Sequence, residues 1–154
     1  MKWQAKDIEH YLVEKNLLDT VVIPLIPVQW EETMLRTVRE GEFTQVVSTE
    51  IERQLAGRVI LHPDFTYLKD EDLETRFRRL ETWKQQIINH GIKFVYFVTS
   101  DMDWKKIEKY MEKLIWMPVI RSEYRVDQQR QDYIEESVDF VRKIIKNNWN
   151  LSLS

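Results

Sequence analysis

The run HPDF sets His62 two residues before Asp64, and these are the side chains of the chain best suited to proton transfer. An imidazole changes charge near neutral pH, so it can act as a general base or a metal ligand. Asp101 and Asp103 in SDMDW add two carboxylates, and Glu31 and Glu32 add a further pair. Oxygen-rich sets of this kind suit hard divalent cations. One reading is therefore a small hydrolase, metal-assisted or His/Asp-dependent, built on His62, Asp64 and Asp101. The same residues have structural uses. His-Pro-Asp after a strand makes a tight turn, because proline fixes φ and aspartate bonds back to the backbone. Ser100 or Asp101 suits a helix N-cap, and Asp103 suits the first turn. On spacing alone the turn-and-cap reading is the stronger, so no metal ligand is assigned.

Other chemistries find less support. The three glycines, Gly41, Gly57 and Gly91, fall where helices are predicted to end, and none follows a strand. A phosphate loop needs glycine there so that backbone N–H groups can approach the anion. Neither GxGxxG nor GxxxxGK[ST] occurs, nor does the GxSxG elbow of a serine hydrolase, and no nucleotide or cofactor is expected. There is no cysteine, hence no disulfide and no thiol nucleophile. His10 lies off the apolar stripe of its helix, and His90 sits at a helix C-terminus, where positive charge is favoured. The net charge of −3 argues against a general nucleic-acid binder. Arg76, Arg78 and Arg79 in RFRRLETWK form a basic stretch, but Glu74 and Arg78 are spaced for a surface pair on a helix.

The elements that must position these residues alternate in period. Residues 7–16 predict a short amphipathic helix. Residues 20–26, TVVIPLI, predict a strand covered on both faces. Residues 31–40 predict a helix with Met34, Leu35 and Val38 inward, broken by Gly41. A second helix follows over 44–56, ended by Gly57 in a left-handed conformation. Strands are predicted at 58–61, 92–98 and 116–120, and helices at 70–89, 103–114 and 126–147. Four strands alternating with helices imply an α/β fold: a three-layer, mostly parallel sheet with helices on both faces, Rossmann-like in topology but without a phosphate loop. The 154 residues suit a single domain. Pro24 and Pro118 remove ladder donors, so each marks either an edge strand or an irregular point. The tail NWNLSLS alternates as an added edge strand would, or frays.

The first strand runs into VQWEE through two prolines, Pro24 and Pro27, which stiffen the junction and remove donors an anion would need. A rigid shelf presenting Trp30 is expected there instead. The chain has six tryptophans, and Trp30, Trp104, Tyr67 and Tyr124 all fall near predicted strand ends. Exposed together they would form a protein-binding surface, since Trp and Tyr dominate interface hot spots. A protein partner or a homodimer is the interaction this implies. No apolar run reaches the ~20 residues of a membrane span, and no signal-peptide core opens the chain, so a cytoplasmic protein without membrane insertion is expected.

The opening MKWQAKDIEHYLVEKNLLDTVVIPLIPVQW resembles the start of the YpiF-like proteins of Bacillus and its relatives. The strand DTVVIPLIP and the charged helix before it carry the likeness, and FVYFVTSDMDW is compatible with it. That family is a domain of unknown function found in small cytoplasmic proteins, so the resemblance supplies no catalytic residue. Its genes lie near those of a menaquinol–cytochrome c reductase. The resemblance therefore implies a role near respiratory-complex biogenesis, while the missing phosphate loop, the absent catalytic signatures and the excess of tryptophan point to a non-catalytic interaction module.

Overall fold

The computed structural model describes residues 1–14, 17–119 and 127–152. The chain order is α1 (Ala5–Val13), β1 (Thr20–Val28), α2 (Met34–Gln54), β2 (Val59–Leu61), β3 (Phe65–Leu68), α3 (Leu73–Asn89), β4 (Phe94–Thr99), a 3-10 helix (Met102–Tyr110), β5 (Leu114–Trp116) and α4 (Asp127–Ser152). Every pairing among these strands is parallel, in the order β2-β1-β4-β5, with β3 also on β1. The α/β fold with helices on both faces is thus what the alternating periods imply. Side chains alternate across β1, so Val21, Ile23 and Leu25 enter one core with Tyr11 of α1, Leu80 of α3 and Trp104. Val22 enters the other core with Val47 and Ile51 of α2 and Val141 and Ile145 of α4.

Five strands are present among the described residues rather than four. The fifth, β3, is short and follows the turn residues of HPDF, which hide it in the sequence. β2 pairs with the first part of β1 (Thr20↔Val59 to Val22↔Leu61) and β3 with the last part (Leu25↔Phe65 to Val28↔Leu68). They act as one interrupted edge strand, and His62-Pro63-Asp64 is the interruption. This settles Pro24. The bonds Thr20 N–H to Arg58 O and His62 N–H to Val22 O turn even-numbered backbone groups of β1 toward β2. Pro24 keeps that parity, so its absent donor faces the break. Pro24 therefore sits at an irregular point of a central strand. Pro118 lies beyond β5.

Gly41 does not break a helix. α2 is continuous from Met34 to Gln54, and Gly41 is buried within it. A Cβ there would lie 3.0 Å from Cγ2 of Ile26, so the glycine lets α2 approach β1 closely. The inward face also differs from expectation: Leu35 and Val38 are exposed, while Thr37, Glu40, Thr44 and Ser48 are buried. Gly57 does not take a positive φ, and Gly91, at φ 113°, does. The helix expected after β4 is a 3-10 helix. Trp104 is buried and Ile107 packs on the same core, and residues three apart eclipse in that geometry. The tail through Ser152 is helix, not strand. Trp149 is buried, donates Nε1–H to Thr20 Oγ1 at 2.9 Å and lies under the Arg58 guanidinium at 3.9 Å.

Candidate functional site

In open parallel sheets, ligands gather at the carboxyl ends of the strands. Here that end, where β3, β1 and β4 finish side by side, is closed by an ionic network. Asp101, the second residue past β4, is 0 % exposed. Its Oδ1 accepts from Lys69 Nζ at 2.7 Å and from the Asp103 N–H at 3.0 Å, and its Oδ2 accepts from Tyr67 OH at 2.6 Å. Trp104 Nε1–H donates to that tyrosine oxygen at 2.7 Å. Arg76, buried on α3, donates to Asp103 Oδ2 at 3.1 Å and to the carbonyls of Lys69 and Glu71 at 2.6 and 2.8 Å. Its guanidinium also stacks 4.6 Å from the Tyr67 ring centroid.

Glu40 of α2 completes the cluster, 3.8 Å from Lys69 Nζ. Lys69 lies at the same distance from Asp103 Oδ2. Three carboxylates thus share two cations. Burial, reinforced by Asp101 and Asp103 and opposed by Lys69, pushes the Glu40 carboxyl up to about 7. Burial, then the neighbouring Asp101 charge, holds the Tyr67 hydroxyl well above its usual range, so it stays a donor. Behind the cluster, Thr44 Oγ1 donates to Glu40 O at 2.8 Å and accepts from the Ser100 N–H at 3.1 Å. The Ser100 and Ser48 hydroxyls are buried without hydrogen-bond partners among the described residues.

The sequence candidates are dispersed among different partners. His62 packs between Trp3 and Trp83, with ring centroids 5.4 and 5.3 Å away, and burial lowers its proton affinity. Asp64 accepts from Gln45 Nε2 of α2 at 2.7 Å. Asp101 belongs to the network just described, and its capping bond to the Asp103 N–H matches the cap expected from sequence. No group of three or more His, Cys, Asp or Glu among the described residues is arranged to hold a metal. Of the expected aromatic surface, Tyr67 and Trp104 are core, at 3 and 0 % exposure, with Tyr67 OH turned inward to Asp101 and Trp104 Nε1–H to Tyr67 OH. Trp30 is 80 % exposed. Tyr124, with Arg121, Ser122 and Glu123, lies outside the described residues.

The basic stretch of α3 is spent internally. Arg76 is in the network, Arg78 pairs with Glu74 and Arg79 with Glu71, both at 2.7 Å. His90 bonds Tyr11 OH at 3.0 Å, and His10 pairs with Glu14 at 3.4 Å. The residues missed from sequence are Glu40, Lys69 and Thr44, and Arg76 reads from sequence as part of a surface basic stretch. One signal was available: Thr37, Glu40, Thr44 and Ser48 repeat at helical spacing, a polar stripe on a helix that is otherwise expected to turn apolar residues inward.

Comparison with known sequences decides the family. Residues 9–149 match the model of a protein family of unknown function, DUF2487. The chain belongs to that family. It is also 30 % identical over 150 residues to the uncharacterized protein YpiF of Bacillus subtilis (strain 168), covering 97 % of this chain and 99 % of that one. No solved structure matches. The YpiF-like resemblance read from the opening residues is therefore correct. Among the described residues no helix is long and apolar enough to cross a membrane.

Proposed function

We propose that this member of the family is a non-catalytic interaction module whose docking surface is the rim at the strand carboxyl ends. One observation carries the reading. Three adjacent strands, β3, β1 and β4, each deliver an exposed apolar side chain at or just past that end: Leu68 (51 % exposed), Trp30 (80 %) and Met102 (56 %). Isolated apolar residues on a surface are ordinary; three delivered to one end of neighbouring strands support a docking reading. Beneath them both oxygens of Asp101 are occupied, and Lys69, Tyr67 and Arg76 are bonded within the network, which supports binding over chemistry. A shallow depression of about 310 Å³ beside Leu68, lined by Val28, Thr66, Glu71 and Arg79, offers a place for a partner's side chain.

In this reading Trp30 supplies the anchor, and Leu68 and Met102, at the ends of the neighbouring strands, add apolar contact. The family resemblance makes a component of a respiratory complex, or of its assembly, the first partner to test. Trp30→Ala is the direct variant. As a surface change it leaves stability within about 0.5 kcal/mol. The complex recovered from the native host is expected to be lost. Recovery of the same complex with unchanged yield would overturn the proposal.

A further inference from the structure

Away from the strand ends, α1 and α3 flank a half-open pocket of about 280 Å³ over the amino-terminal half of the sheet. Its walls include Ile8 and Leu12 of α1, Val21, Ile60, Ile87 and Ile92. On the scale at which a dry cavity of about 150 Å³ accepts benzene, this one has room for a molecule of one or two rings. Four rings also face it: Trp3, Tyr11, His62 and His90. Trp3 and His62 pack together, as do Tyr11 and His90, at centroid separations of 5.4 and 6.0 Å.

Gln86 also lines it, with an amide that can donate or accept, and the other polar groups define the ligand further. No Lys, Arg, Asp or Glu lines the cavity among the described residues, so a charged ligand would be desolvated without a counter-charge. His62 Nδ1–H donates to the Pro63 carbonyl at 2.9 Å, which leaves Nε2 as a lone-pair acceptor. Burial disfavours the imidazolium and keeps that lone pair available. Tyr11 OH, bonded to His90 Nε2 at 3.0 Å, has a second lone pair as an acceptor. The cover is light: Tyr11 is the buried residue of α1, and a helix of nine residues with no side-chain N-cap takes its stability from packing.

We infer that this cavity is a binding site for a small, uncharged aromatic molecule that carries an N–H or O–H donor. Indole is the probe, and indole-3-acetate, the same ring with a carboxylate, is the control. Titration followed by amide NMR shifts is expected to move Tyr11, Ile60, Gln86, Ile87 and Ile92 saturably with indole. The carboxylate should bind about tenfold more weakly or worse. Ile8→Trp places an indole into the cavity from α1 and leaves the sheet untouched. It should abolish the indole shifts while the circular dichroism spectrum stays native. Shifts that do not saturate or that spread over the surface would overturn the inference. So would equal binding of the carboxylate, or undiminished binding by a folded Ile8→Trp protein. An unfolded Ile8→Trp is replaced by Leu12→Trp, read against the same outcomes.

Discussion

Glu40 is the residue at which the network should be felt in solution. Its carboxyl titrates at about 7 in the folded protein against 4.5 ordinarily. The folded state therefore keeps a proton that the unfolded chain releases. Stability from this group is fully present below pH 4.5 and is lost as pH rises through about 7. At about 1.4 kcal/mol per unit, the amount is on the order of 3–4 kcal/mol. Glu40→Gln mimics the protonated side chain, so the variant should match the wild type near pH 5 and exceed it at pH 8. Urea midpoints at the two pH values measure this. A difference between the proteins that does not change with pH would contradict it. At this scale the sequence was only partly legible. The Asp101 cap could be read from spacing, because capping is local. The network was not, because Glu40, Lys69, Arg76 and Asp101 come from four separated stretches. Only the pairing of β3 and β4 on either side of β1 brings them together.

At the scale of elements, α2 shows how local rules and tertiary packing compete. A glycine inside a helix costs about 1 kcal/mol relative to alanine, which is why Gly41 predicts a break. The helix persists because the missing Cβ is what seats it on Ile26. Gly41→Ala is accordingly expected to destabilise the protein. Overpacking against a β-branched side chain costs about 1–3 kcal/mol, at or above the propensity gained. Thermal melts will show the sign, and a raised melting temperature would contradict the close-approach account. The strands β1 and β4 were legible because their residues are apolar on both faces, as central parallel strands require. β3 was not, because its four residues alternate buried and exposed directly after turn chemistry. The tail was misread because alternation over so few residues also fits one buried helical residue, Trp149, followed by exposed ones.

At the scale of the molecule, the fold divides its polar and apolar resources unusually. The strand carboxyl ends, where an open sheet ordinarily offers polar groups to a ligand, hold a closed ionic floor under an apolar rim. The amino-terminal half, ordinarily plain core, carries an uncharged aromatic-lined cavity under a lightly held helix. The expectation of an aromatic surface thus reduces, among the described residues, to Trp30, since the fold consumes Tyr67 and Trp104 as support for Asp101. The measurement that tests this account most directly is in-cell photo-cross-linking from position 30. A parallel probe at Asn89, exposed at the other end of the sheet, serves as the comparison. The account predicts one discrete adduct from position 30, weakened by Leu68→Ala or Met102→Ala, and none from position 89. Equal adducts from both positions, or none from position 30, would contradict it.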